Sequence, residues 1–220
     1  MHSIGIQTTM SRFKQLAAGL FFSLALCGQT SGALAGPPSD LIAGLNSKFI
    51  EVMKNAAKLG YEGRYQALAP ALSDAYDFPE MARVSIGRYW RDLTDAQKQQ
   101  LVAGFQAYST ATYAARFNGF SGEKFEVLGE EPAPAGNVRV NNQIVQRSGE
   151  PIRIDYLLRQ ETSGFRIVDV FLKSSFSELA IRRSEFTTEY AKTGFDGVIA
   201  LMKAKVAKLQ TDAATTSSSN

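Results

Sequence analysis

Histidine and cysteine are almost missing from this chain of 220 residues, which has one of each, His2 and Cys27. Both precede residue 36, in a stretch with the order of a removable leader. Without that leader the working protein contains neither. Ser-His-Asp and Cys-His catalysis, His/Cys zinc sites, disulfides and haem ligation by histidine are then excluded. Glycine-rich phosphate loops are missing too, since neither G-x-x-x-x-G-K-[ST] nor G-x-G-x-x-G occurs. Charge of one sign is also scarce. Two of the 24 basic residues, Arg12 and Lys14, and none of the 21 acidic ones lie in the leader, so the net charge falls from +3 to +1. This is not a nucleic-acid signature. Only carboxylates remain as metal ligands, and Glu130-Glu131 and Asp92 with Asp95 sit where turns and caps account for them. No cofactor is expected.

The leader itself is present in full. Arg12 and Lys14 precede an apolar run from Leu16 to Cys27, and Ala33-Leu34-Ala35 supplies a small-x-small cleavage signal. The run is about a dozen residues, short of the roughly 20 that a spanning helix needs. Leu26 is too large to precede a lipidated Cys27, and Arg12 has no second Arg beside it for the twin-Arg route. Either Met1 or Met10 can be the start, because Met10 to Lys14 alone completes the charged region. Residues 1–35 therefore read as a cleaved signal peptide and 36–210 as a single exported domain. Residues 211–220 read as a disordered Ser/Thr/Ala tail with no large apolar residue. A cysteine-free mature chain suits an oxidising compartment.

The first half carries a helical period. Leu41, Leu45, Phe49, Val52, Met53 and Ala56 form one stripe, with Ser39 or Asp40 able to cap it and Gly60 ending it. The weaker stretch from Tyr65 to Tyr76 contains Pro70, which predicts a kink or split. Asp77 caps Pro79 to Ile86, with Gly87 as the stop. Thr94-Asp95-Ala96-Gln97 is a capping box opening a long helix with Leu101, Phe105, Tyr108, Thr112 and Ala115 on one face. The period then switches to two. Lys124 to Leu128, the run around Val138, Val140 and Ile144, the run Ile152 to Leu158, and Phe165 to Leu172 predict four antiparallel strands joined by polar turns. Helices over Ser177 to Lys192 and Asp196 to Leu209 follow, separated by Gly194. Helices on either side of a one-faced sheet give an α+β fold in which they cover that face.

Two features could carry chemistry. Asp169 interrupts an apolar run on one strand, so burial could raise its pKa and make it a general base, with Tyr156 or Tyr113 as hydrogen-bond donor. The alternative for Asp169 is an Arg partner or backbone N–H donors. Asp155 alternates with apolar neighbours and is expected to face water. The second feature is aromatic: 11 Phe, 8 Tyr and Trp90 follow the leader, with Phe105 and Phe117 among them. Such residues build a core or line a cavity.

From Asp77-Phe78-Pro79-Glu80-Met81-Ala82-Arg83 through Gly87-Arg88-Tyr89-Trp90 to Thr94-Asp95-Ala96-Gln97, the chain resembles the MlaC/Ttg2D family of periplasmic lipid-carrier proteins. The resemblance continues at Thr112-Tyr113, at Phe165 to Val170 and at Gly194 to Ile199, covering roughly residues 40 to 209. Phe120 to Phe125 and Ser177 to Phe186 look most like the hopanoid-associated HpnM group. Lys173-Ser174-Ser175 and Ile181-Arg182 stand where the family usually has a small-residue turn and Tyr-Arg. The resemblance implies an NTF2-like fold whose four-stranded sheet and helices enclose an apolar cavity. It also implies a monomeric, non-enzymatic periplasmic shuttle for a hopanoid or phospholipid. Such a shuttle makes transient membrane contact and works with an inner-membrane lipid transporter and an outer-membrane acceptor complex. By the same resemblance Tyr89, Trp90 and Tyr113 are motif positions near the pocket. The strand reading adds Val140, Ile154, Tyr156 and Phe171 as inward-facing. Arg139, Arg153 and Lys173 are the candidate head-group contacts.

Overall fold

The computed structural model describes residues 37–147 and 149–217. The signal peptide and the choice between Met1 and Met10 lie outside the described residues. Helix α1 (Pro37–Lys54) buries Leu45, Phe49, Val52 and Met53 of the predicted stripe together with Ile42, whereas Leu41 is half-buried and the helix ends before Ala56 and Gly60, which belong to the next one. Its first turn is not capped by Ser39 or Asp40. Instead the Glu130 carboxylate accepts from the Ser39 N–H at 2.9 Å, filling the role a cap would play. Helix α2 (Ala56–Ala75) carries the backbone break at Gly60 (φ 61°, ψ −174°), a conformation open essentially only to glycine. Pro70 does not split α2. It sits inside the helix facing solvent, and the Gln66 carbonyl it leaves free is also on the exposed side.

Asp77 caps α3 (Phe78–Ile86) by accepting from the Glu80 N–H at 2.9 Å, and its second oxygen takes Arg159 at 2.8 Å. A 3₁₀ turn over Gly87–Asp92 leads to α4 (Asp95–Arg116), which opens with the complete Thr94/Gln97 capping box. The strands then follow in order as β1 (Lys124–Pro132), β2 (Val138–Val145), β3 (Ile152–Glu161), β4 (Gly164–Leu172) and β5 (Phe176–Ser177). They form one antiparallel sheet in sequence order. The sheet thus has five strands where the pattern predicted four. The fifth is only two residues long and turns the chain into α5 (Glu178–Ser217). Gly194 (φ 71°, ψ −165°) breaks α5 at the predicted place, but its second half runs on to Ser217. Residues 211–217 are therefore helical, correcting the reading of a structureless tail.

The architecture is α+β, with helices laid over one face of the sheet. Val140, Tyr156, Leu158, Ile167 and Val170 of that face meet the buried residues of α1, α3, α4 and α5 in one core. Among the described residues no helix is long and apolar enough to cross a membrane.

Candidate functional site

A partly open cavity of about 100 Å³ lies between the covered face of the sheet and the helices. Ile154 and Tyr156 of β3 and Val170 and Leu172 of β4 make its floor. On α4, Phe105, Ser109, Thr112, Tyr113 and Arg116 recur at helical spacing and make one wall. Glu178, Leu179 and Arg182 of α5 make another, and Tyr76, Met81 and Phe117 complete it. The lining is mostly hydrocarbon and aromatic rings.

Besides the Ser109 and Thr112 hydroxyls of α4, its polar groups in the interior are tyrosine hydroxyls. Tyr76 and Tyr113 share a hydrogen bond of 2.5 Å, while Tyr76 stacks on Phe78 and Tyr113 on Phe49. Burial pushes the Tyr76 and Tyr156 hydroxyls well above the ordinary tyrosine range and Tyr113 above it as well. All three are therefore neutral at physiological pH, so the cavity interior offers hydrogen bonds without charge. Charge appears only at one edge, where Arg116 and Arg182 flank Glu178 at 3.9 and 3.6 Å.

The sequence profile of the MlaC protein family matches residues 44–204. The chain belongs to the MlaC protein family. Its fold is shared with the phospholipid-binding protein of Ralstonia solanacearum, solved in complex with a phospholipid, at a TM-score of 0.70 and 18% sequence identity. The match covers 79% of this chain and 99% of the Ralstonia chain.

Within this MlaC-family fold the expected lining residues divide into two sets. Phe105, Tyr113, Phe117, Ile154 and Tyr156 do line the cavity. Tyr89, Trp90, Val140 and Phe171 do not. Tyr89 stacks on Tyr190 of α5 at 4.1 Å, and Trp90 packs beside Lys98, so both brace the α3–α4 connection. Val140 is fully buried in the core, on the covered face but not in the lining.

Phe171 lies on the opposite face of the sheet, beneath the Arg139 guanidinium at 4.5 Å. The reason is a bulge in β4: Leu157 pairs with Asp169 and Leu158 with Ile167, leaving Val168 as the extra residue. The bulge inverts the parity of the strand, so Val170 and Leu172 face the cavity and Asp169 and Phe171 do not.

None of the three candidate head-group cations lines the cavity. Arg139 and Arg153 sit on the far face and hold the fully buried Asp155 at 3.2 and 3.0 Å. The Asn142 N–H donates to the same carboxylate at 3.0 Å. Asp155, expected to face water, is thus enclosed by its neighbours. Burial alone would raise its pKa. Donors from Asn142, Ser174 and Arg153 outweigh that, and the carboxyl lies below its ordinary range. Lys173 (φ 50°) forms the β4–β5 turn, its N–H donating to the Arg153 carbonyl.

Asp169 accepts from the Val170 and Leu179 N–H groups at 2.7 and 3.1 Å and from the Ser177 hydroxyl at 2.6 Å. These contacts cap α5, and Asp169 is absent from the cavity lining. Burial pushes its carboxyl above the ordinary range, only partly offset by those donors. A general base here has no tyrosine partner and no access to the cavity. Among the described residues no cluster of three His, Cys, Asp or Glu side chains is placed to hold a metal.

Among the lining residues that sequence reasoning does not single out are Arg116, Glu178 and Arg182 at the charged edge and Tyr76 inside, with Met81, Ser109, Thr112, Val170, Leu172 and Leu179. Arg116 follows Phe105, Thr112 and Tyr113 on the same helical stripe, so extending that stripe to the helix end is the signal that points to it.

Proposed function

We propose that this chain is a periplasmic lipid carrier that holds the apolar part of a membrane lipid in the cavity beneath α4 and α5. The observation that carries the proposal is an apolar cavity whose interior polar groups are all neutral. Membership of the MlaC protein family and the shared fold with a phospholipid-binding protein support it. The cargo is a hopanoid or a phospholipid. The leader read in residues 1–35 supports a place between the inner and outer membranes, where the carrier would exchange cargo with an inner-membrane transporter and an outer-membrane acceptor.

Each methylene group withdrawn from water is worth about 0.8 kcal/mol, so a long-chain lipid does not leave through water on its own. A carrier whose interior matches a bilayer makes transfer nearly balanced. Direction then comes from the partners at either end rather than from chemistry in the carrier.

Native mass spectrometry of the protein expressed in a hopanoid-producing host tests the reading. The folded wild type should carry lipid or take it up from vesicles. Ile154→Trp, which fills the floor of the cavity, should keep the fold by circular dichroism and lose most of that load. A folded, lipid-free wild type that takes up nothing from vesicles would overturn the carrier. An Ile154→Trp variant with full load would overturn the site. Full activity in cells despite a blocked cavity would instead indicate an adaptor that carries no cargo.

A further inference from the structure

The charged edge of the cavity is also the floor of a second feature. Arg116, Glu178 and Arg182 line an open groove of about 820 Å³ between α4 and both halves of α5, together with Lys192, Glu189 and the Lys205–Glu185 ion pair at 2.6 Å. The groove and the cavity therefore meet at these three side chains. A molecule with chains in the cavity must place its polar end there.

These two arginines are held less tightly than Arg139, Arg153 and Arg159. Arg139 and Arg153 are tied to a buried carboxylate, and Arg159 is tied to Asp77 at 2.8 Å and to Glu161 at 2.6 Å. Arg116 and Arg182 stand 3.9 and 3.6 Å from the single Glu178 carboxylate, beyond hydrogen-bond distance. Two cations thus share one anion loosely. Arg182 is already oriented, because its guanidinium lies 3.9 Å over the Tyr108 ring and its side chain is only 14% exposed. Arg116 is 54% exposed and can swing toward it. A planar fork held in place with a second one beside it matches the geometry of a phosphate.

We propose that Arg116 and Arg182 form a head-group seat that selects phospholipids of net negative charge over zwitterionic or neutral lipids, because the ammonium of a zwitterionic head group meets the same two cations that hold its phosphate. Glu178 holds the two arginines in position and is outcompeted when such a head group arrives. This rests on the carrier reading and adds a preference to it. A neutral polycyclic lipid gains nothing from the seat.

The test is competitive extraction from vesicles of equimolar phosphatidylglycerol and phosphatidylcholine, with bound lipid identified by mass spectrometry. The wild type should enrich phosphatidylglycerol by about tenfold, the worth of one good charge-assisted contact. Arg116→Ala/Arg182→Ala should bring the ratio to about one, whatever the total lipid bound. Glu178→Gln, which keeps both cations and removes the competing charge, should raise the enrichment. Inorganic phosphate in millimolar excess should leave the enrichment intact, because it has no chain to anchor it. Its collapse under phosphate would reassign the seat to a free anion and overturn the head-group proposal. Equal loading of both lipids by the wild type overturns the proposal and leaves the carrier standing. No loading from any vesicle overturns the carrier reading itself.

Discussion

Asp155 separates a structural from a lipid-binding role for Arg139 and Arg153. Asp155→Leu removes a fully buried carboxylate that accepts from the Asn142 N–H at 3.0 Å, from Arg153 at 3.0 Å and from Arg139 at 3.2 Å. The orphaned Asn142 N–H has no route to water and costs about 1–3 kcal/mol. The two arginine side chains are 22% and 36% exposed, so they turn to solvent and their loss adds only about 1 kcal/mol together. Asp155→Leu should therefore destabilise by about 2–4 kcal/mol in urea unfolding at neutral pH. Asp155→Asn keeps an acceptor for the Asn142 N–H and should cost about 1–2 kcal/mol. The pH dependence supplies a second check. The folded-state pKa of Asp155 is depressed, so its stabilisation is present above the unfolded value near 3.9 and is lost as pH falls through the folded value. The gap between wild type and Asp155→Asn should close in that acid range. Lipid load should be unchanged in both variants wherever they are folded. A loss below about 0.5 kcal/mol for Asp155→Leu, or a gap that persists into acid, would refute the reasoning. Reduced lipid load in a fully folded variant would return Arg139 and Arg153 to the binding site.

The other predictions concern groups that the fold uses without exposing them. Asp169→Asn keeps acceptors for the Val170 and Leu179 N–H groups and should lie within about 1 kcal/mol of wild type at pH 7 with lipid load intact. Its sign with pH is opposite to that of Asp155. The folded pKa is raised, so wild type loses stability as pH rises from the unfolded value through the folded one, and the variant should not. Arg64 is buried without a carboxylate and donates to the Ala114 and Ala56 carbonyls at 2.8 and 3.1 Å, near the ends of two helical segments. Arg64→Met should cost about 1–3 kcal/mol by urea unfolding, the orphaned carbonyls outweighing the relief of a buried charge. Unchanged stability would mean that water reaches those carbonyls.

Several local signals are legible where one residue type does one local job, although Pro70 leaves α2 unsplit and neither Ser39 nor Asp40 caps α1. Gly60, Gly87 and Gly194 stop or break helices because their backbone conformations exclude a side chain, and Asp77 and the Thr94/Gln97 box satisfy helix N–H groups within three residues. What one sequence does not disclose is which strand residue faces which. Period-two counting from Ile167 puts Asp169 and Phe171 on the inner face, and the bulge at Val168 reverses them. The same counting places Asp155 on the outer face, correctly. It cannot show that arginines of β2 and β3 close over that position. A two-residue strand such as β5 is too short to have a period at all. The charged edge of the cavity was illegible for a different reason: Arg116 and Arg182 are far apart in the chain, and only the packing of α4 against α5 brings them to one carboxylate.

Cavity size sets a threshold on the cargo. Pockets for molecules of even modest size run from about 300 Å³ upward, and the cavity here is about 100 Å³. Loading an acyl chain therefore requires the walls to part. The sheet floor is tied by ladders of backbone hydrogen bonds, whereas α4 and α5 meet it through side chains, and α5 is broken at Gly194. The helical wall is the side that yields. Opening roughly 200 Å³ at about 24 cal/mol per Å³ costs about 5 kcal/mol. At about 0.8 kcal/mol per methylene, the first six or so carbons of a chain only offset that opening. Association adds several kcal/mol more, which moves the break-even point to about ten to twelve carbons. Single-chain phospholipids delivered as monomers should accordingly show a step rather than a slope. Chains of about eight carbons should leave the melting temperature unchanged, and chains of about sixteen should raise it. A shift that grew evenly from the shortest chain would mean that the space is already open and that the helical wall does not have to move.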